Sequence, residues 1–255
     1  KTVTDAGFSL VMQQIPSCGD EVQRAAVMER EKRLQGIIFL GGRLDYSPED
    51  LAMLNVPYVC CSYSNQYGTL RIGEYSAVSI ADEEAAQQAV DHLYDHGHRR
   101  IAALICRPDD QSISQLRYQG YCKALSSHGI PLDPELVMCA GSFDIRDAYD
   151  AVCEKLRQGA EFTALFAIAD SMAIGAMRAL RDEGRAVPQD CSVIAIDGLE
   201  LSAYIEPPLT TLCQPMEEMG QRSAQILLGL IHGHGAHCCE VLPTQLRQGG
   251  SVQDI

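Results

Sequence analysis

The sequence predicts an α/β fold of doubly wound parallel sheets, and three observations carry that prediction. Short runs are apolar at every position: Gly36–Leu40, Ile101–Ile105, Ala164–Ile168 and Val193–Ile196. Strands covered on both faces read this way, as in a parallel sheet. Helical stripes lie between these runs, and no Gly/Ser linker or repeat interrupts the 255 residues. Strand–helix alternation of this kind winds right-handed crossovers over a parallel sheet.

Taken in order, Gly36–Leu40 is the first such strand. Pro57–Cys61 is the next, with its proline at the first position, where a missing N–H is tolerated. Ala86, Ala89, Val90, Leu93 and Tyr94 then form one helical stripe. Glu83 and Glu84 near its start suit the helix dipole, and His96-Gly97 suits a glycine cap at its end. Ile101–Ile105 follows as a strand. Ala148, Tyr149, Val152, Cys153 and Leu156 make a second stripe, followed by the strand Ala164–Ile168. A third stripe is Ala173, Ala176, Met177 and Leu180, ahead of the strand Val193–Ile196. The fourth runs Met216, Met219, Ser223, Ile226, Leu227 and Leu230.

Composition narrows the function. A formal net charge of −14 repels phosphate backbones, so these residues are a poor nucleic-acid surface. Apolar residues make up 46% of the chain, enough for a sizeable core, but no run reaches the ~20 needed to span a bilayer. No signal peptide opens the chain. Eleven cysteines, several inside apolar runs, point to a reducing interior and a cytoplasmic location. The sequence holds no G-x-S-x-G elbow, glycine-rich phosphate loop or H-E-x-x-H, so it reads as no enzyme and needs no cofactor. The histidine-rich stretch His232–Cys239 matches no structural zinc spacing, and the expectation for metal is none.

Four segments together resemble the LacI/GalR family of transcription regulators. Val90–Ala102 is similar to its "hL…GHrrIa" segment, and Ala167–Leu180 to its "aaND.mAiGam.al" segment. Val187–Asp197 resembles "vPeDvSVvgfDd", and Pro207–Pro215 resembles "pPLTTv.qp". The resemblance implies a periplasmic-binding-protein-like type I fold: two doubly wound parallel-sheet lobes joined by three crossover strands. An N-terminal lobe would hold residues 1–80 plus 216–243, its first strand missing. A C-terminal lobe would hold 81–215 plus 244–255. An upstream helix-turn-helix is expected outside this chain, with Ala6-Gly7-Phe8 looking like the end of the first lobe's first helix.

The resemblance also implies a function. A small polar effector, such as a sugar or sugar phosphate, would bind in a cleft between the lobes of a homodimer. Operator DNA would be contacted only through the absent N-terminal module. The alternative is a sugar-binding protein of a transport system.

Seven residues are the ligand-binding candidates. Asp197 ends a strand and can accept from hydroxyls, while Arg117, in the "R..G" helix, offers a rigid donor fork. Phe143 matches an aromatic position that would pack on a ring. Asp170 starts a helix and reads first as its N-cap. Gln214 lies on an expected crossover, and Ser62 and Tyr63 follow the Pro57–Cys61 strand. The pattern breaks at Ala81, Ala169 and Gly198, where the family commonly carries Asp, Asn and Asp. Fewer polar groups would then line the site.

Overall fold

The computed structural model describes residues 2–15 and 19–255, so Cys18 lies outside the described residues. The chain begins with α1 (Thr2–Asp5), which closes at Gly7 with φ +85°. There follow α2 (Glu21–Lys32), β1 (Ile37–Leu40), α3 (Pro48–Leu51), β2 (Tyr58–Cys61), β3 (Ala77–Ile80) and α4 (Asp82–Asp95). Next come β4 (Ile101–Ile105), α5 (Ile113–Ser127), β5 (Val137–Cys139), α6 (Ile145–Arg157), β6 (Ala164–Ala167) and α7 (Asp170–Asp182). The chain closes with β7 (Ser192–Asp197), β8 (Thr210–Cys213), α8 (Met216–Ile231), β9 (Cys239–Leu242) and β10 (Gln245–Arg247).

These elements form two compact units, Lys1–Ile80 with Pro215–Leu242, and Ala81–Gln214 with Pro243–Ile255. The chain therefore passes between units three times, at 80–81, 214–215 and 242–243.

The first unit holds a four-stranded parallel sheet in the order β1-β2-β3-β9. Local chemistry sets its helix starts. Asp20 accepts from the N–H groups of Val22 and Gln23, and Ser47 and Asp50 form a reciprocal capping box. Helix α8 packs on the sheet through Met219, Ala224, Ile226 and Leu227. It comes so close that a Cβ on Gly36 would lie 2.9 Å from Leu227 and Ile231 methyl carbons. Strand β3 is buried along its whole length although its sequence, Ala-Val-Ser-Ile, contains a polar residue.

The second unit holds six strands in the order β10-β8-β7-β6-β4-β5, parallel apart from β10, which runs antiparallel to β8. Every residue of β4 and β6 is buried, as continuously apolar sequence requires. Two packed helix pairs, α4 with α5 and α6 with α7, cover this sheet. Gly120 sets the α4–α5 approach: a Cβ there would sit 2.2 Å from the Glu83 carbonyl oxygen and 2.7 Å from Ala86 Cβ. One turn before Gly120 lies Arg117, and one residue before Glu83 lies Asp82, so this approach brings the two within reach.

The segment resembling "GHrrIa" has a structural job. Gly97 takes φ +93° after α4, and His98 N–H closes the turn on the Leu93 carbonyl. The His98 ring is buried, with Nε2 3.2 Å from the Gln253 carbonyl and Nδ1 3.0 Å from Thr163 Oγ1. A carbonyl only accepts, so Nε2 carries the proton and the neutral ring ties the C-terminal segment to β6. Burial holds the His98 pKa below its ordinary value.

Gly120→Ala is expected to destabilise the second unit by about 1–3 kcal/mol, because the helices must part to admit a methyl group; urea unfolding measures it. His98 has a folded pKa below its unfolded value of roughly 6.5. Its contribution is therefore complete above that value and lost as pH falls through the folded pKa. Wild type should lose unfolding midpoint between pH 7.5 and 5.5, and His98→Gln should show a shallower loss.

Candidate functional site

The polar centre of the second unit lies past the carboxyl ends of its strands, beside the point where the strand order reverses at β4. Helix α5 is started by Ser112, whose side chain accepts from Ser114 N–H, and Arg117 projects from its second turn. Arg117 as a whole is 2% exposed. Its Nε donates to Asp82 Oδ1 at 2.8 Å, and its Nη1 donates to the Ile168 carbonyl at 2.6 Å and to Asp197 Oδ1 at 3.1 Å. One side chain thus ties α5 to the start of α4, the end of β6 and the end of β7. Burial opposes the charge on Arg117, but the two carboxylates outweigh it and hold its pKa above the ordinary value. Loss of solvent pushes the Asp82 carboxyl up, with Arg117 pulling the other way.

Asp197 is the part of this cluster that meets solvent, with its side chain 20% exposed. Gln214 Nε2 donates to its Oδ1 at 2.7 Å, and Gln214 N–H donates to its backbone carbonyl at 3.0 Å. Both side-chain bonds fall on Oδ1, so Oδ2 is left free to accept among the described residues. Its backbone sits at φ +133°, a region that L residues rarely adopt, followed by Gly198 at +77°. A Cβ on Gly198 would lie 2.5 Å from Cys213 Sγ. The glycine where the family commonly has Asp is thus required by β8, which runs directly beneath it.

Asp170 behaves differently from the expectation of an N-cap. Ala169 holds that position without a side-chain bond, and Asp170 is the first helical residue, fully buried. Its carboxylate accepts from Leu199 N–H, Ser202 Oγ and Thr211 Oγ1, with Arg247 Nη2 at 3.9 Å. These bonds fix the loop after β7 against α7 and β8. Burial pushes its pKa up against those hydrogen bonds.

The other expected residues share no hydrogen bond with this network among the described residues. Phe143 is 43% exposed ahead of α6, and its carbonyl accepts from Ser171 Oγ at 2.8 Å. Ser62 and Tyr63 belong to the first unit, at the carboxyl end of β2. Ser62 has φ +60°. Tyr63 is buried, stacks on Tyr46 at 5.5 Å and donates to Asn65 Oδ1 at 3.1 Å. Arg117, Asp197 and Gln214 are therefore the residues brought into direct contact.

Sequence reasoning missed Asp82. Its signal was present: it continues the stripe Ala86, Ala89, Val90, Leu93 one turn back, so the acid stands on the buried face of α4. In the His232–Cys239 stretch, His237 Nδ1 lies 3.1 Å from Ser76 Oγ. Among the described residues no three His, Cys, Asp or Glu side chains converge to hold a metal ion, and no helix is long and apolar enough to cross a membrane.

Comparison with known proteins gives the family and the fold. The periplasmic binding protein-like domain matches residues 90–252. The HTH-type transcriptional regulator MalR of Clostridium butyricum is 32% identical over 255 residues, 99% of this chain and 75% of the relative. The HTH-type transcriptional regulator CelR of Thermobifida fusca is 34% identical, over 91% of this chain and 66% of the relative. Among solved structures, a transcriptional regulator CelR–cellobiose complex superposes with TM-score 0.84 at 31% identity, over 98% of this chain and 75% of that one. A lac repressor dimer bound to operator and an anti-inducer superposes with TM-score 0.83 at 27% identity, over 99% and 86%. These relatives are transcription regulators.

Arg117→Met is expected to cost about 3–5 kcal/mol of stability, since it leaves Asp82 buried without a counter-charge. Gln214→Ala, which removes a hydrogen bond to a part-exposed carboxylate, should cost about 1 kcal/mol. Chemical unfolding of the two variants beside wild type checks the order.

Proposed function

Since this chain belongs to the LacI/GalR family of transcription regulators, as its effector-binding, periplasmic-binding-protein-like domain, we propose that the Arg117–Asp197–Gln214 cluster receives the effector. The observation that carries this reading is the free Oδ2 of Asp197, held by a partly exposed carboxylate whose other oxygen is fixed by a buried guanidinium. A carboxylate anchored in this way accepts a ligand hydroxyl without reorganising, which limits the ordering cost of binding. The strained backbone at Asp197 supports the same reading, because such strain collects where a side chain must be aimed.

The effector is a small polar molecule of the sugar class, a reading supported by the relative solved with cellobiose. Phe143, exposed ahead of α6, supplies a flat apolar face for a ring. Asp170 acts behind the site by holding the Leu199–Ser202 turn. The regulator acts in the cytoplasm as a homodimer. It reaches operator DNA through a helix-turn-helix upstream of this chain, since a net charge of −14 gives these residues little attraction for phosphate.

Regulation then requires that effector bind one state of the domain more tightly than another. Chain connectivity supports a route for this. Gln214 is the last residue before the crossing at 214–215, and Asp82 is the second residue after the crossing at 80–81.

A thermal-shift panel of mono- and disaccharides tests the reading. A sugar at a hundred times its Kd should raise wild-type stability by about 2.7 kcal/mol. Asp197→Asn, which keeps the fold but weakens a charged hydrogen bond, should bind that sugar about ten- to a hundredfold less well. A sugar that shifts both proteins equally would remove Asp197 from the site.

A further inference from the structure

We propose that a cleft at the amino ends of β7 and β8 is a second ligand site of the second unit, which takes a small organic oxyanion, a phosphate or carboxylate compound, on the forks of Arg181 and Arg185. The cleft has a volume of about 610 Å³, within the range of small-molecule sites. It lies between the end of α7, the turn at 186–189 that leads to β7, and Pro207-Pro208 ahead of β8. Asp197 stands at the opposite end of β7, roughly 16 Å along the strand. The two sites are therefore separate, and this one does not depend on the siting of the effector.

The first argument is how the two guanidiniums are held. Arg181 Nη2 donates to the Glu206 carbonyl at 2.7 Å. Arg185 Nη1 donates to the Phe162 carbonyl at 3.4 Å and its Nη2 to the Ala160 carbonyl at 3.2 Å, while the group sits 5.4 Å over the Phe162 ring. All three acceptors are main-chain carbonyls, which orient a guanidinium without neutralising it. Neither arginine forms an ion pair among the described residues, in a chain where acids outnumber bases 34 to 20. The acids nearby in sequence are engaged elsewhere: Asp182 by Arg178 at 2.9 Å, Glu183 by Arg157 at 2.7 Å and Asp190 by the Ala186 N–H at 2.7 Å. Glu206, which is exposed, is the acid that lines the cleft, so two cations face one carboxylate.

The second argument is donor capacity. A guanidinium carries five N–H donors. One of Arg181's and two of Arg185's are used by the carbonyls, and the others have no partner among the described residues. A phosphate or carboxylate brings acceptors and opposite charge together, and its paired oxygens match the planar fork. Because the carbonyls already orient both side chains, binding freezes less arginine motion than it would on a free surface.

The walls speak for an organic ligand over a bare ion. Met177, Val187 and Pro207 give the cleft apolar surface beside the two arginines. Arg185 also lines an adjoining cleft of about 420 Å³ with Arg100, whose Nε donates to the Glu161 carbonyl at 2.8 Å and whose Nη2 is 4.0 Å from Asp133. A guanidinium held by a carbonyl thus recurs along the amino ends of this sheet.

The experiment is calorimetric titration with glucose 6-phosphate, 3-phosphoglycerate and citrate at about 0.15 M salt, where charges more than ~8 Å apart are screened. Wild type should bind at least one of them. Arg181→Gln should weaken that binding about tenfold or more, the loss expected of a hydrogen bond between charged groups. Arg24→Gln removes an exposed cation from α2 in the first unit and should bind as wild type does, as should Asp197→Asn. A second measurement needs no variant: the bound probe should protect Arg181 and Arg185, but not Arg24, from modification by phenylglyoxal, read by mass spectrometry. Failure of wild type to bind any probe overturns the proposal, and so does an Arg181 left unprotected by a probe that binds. Equal weakening in Arg24→Gln would reduce the effect to bulk charge, and loss in Asp197→Asn would move the oxyanion to the effector cluster; either result also defeats it.

Discussion

The second unit depends on the burial of one positive charge. Arg117 is covered on all sides, and an unpaired guanidinium in that environment would cost several kcal/mol. The sequence meets that demand from distant places: Asp82 is 35 residues earlier, the Ile168 carbonyl 51 later and Asp197 80 later. None of these partners can move far without exposing a charge to a low-dielectric interior. The packing of α4 on α5 through Gly120, the end of β6 and the last residue of β7 are therefore set by the same requirement. A replacement by apolar residues of similar size could be just as stable, so the ion pair is best understood as fixing geometry, not as adding stability.

Geometry is what Asp197 needs. Its φ of +133° is unfavourable for any residue with a side chain, and the backbone holds it because β8 and Gln214 pin both its carbonyl and its carboxylate. Gly198 completes the turn where Cys213 leaves no room for a Cβ. Strain of this size, of order 1–3 kcal/mol, persists only where the surroundings over-determine the conformation. Here the surroundings do, through five hydrogen bonds that converge on Arg117 and Asp197.

Strands β4, β6 and β7 were legible because burial leaves a one-letter signature, and β1 was legible from the same kind of apolar run although its Leu40 is exposed; all four sit within a residue of where the apolar runs place them. Strand β3 escaped notice because it is four residues long and interrupted by Ser79, and β5, β9 and β10 because they are short and partly exposed, so neither run nor alternation marks them. At the site, Arg117, Asp197 and Gln214 were legible by resemblance, but their mutual bonding was not, since contacts across 17 and 80 residues have no local signal. Asp82 was hidden in a triplet of acids that reads as dipole chemistry. Only its place on the apolar stripe of α4 separates it from Glu83 and Glu84, and that distinction needs the helix phase. Asp170 shows the reverse error: its position at a helix start suggested capping, while its phase on the stripe of Ala173 and Met177 sent it inward to Ser202 and Thr211.

A buried ion pair with one solvent-facing arm is also a natural place to couple binding to conformation. Asp197 divides its acceptor capacity between Arg117, Gln214 and solvent, so a ligand that takes Oδ2 changes the charge density available to the other two. Gln214, bonded to Asp197, is the last residue before the crossing at 214–215, and Asp82, bonded to Arg117, is the second residue after the crossing at 80–81. A ligand's effect on this cluster is electrostatic and short-ranged, so it depends on how well each state of the domain seats Arg117 between its two partners. An effector that strengthens that seating in one state over another shifts the population by the difference alone, however tightly it binds both.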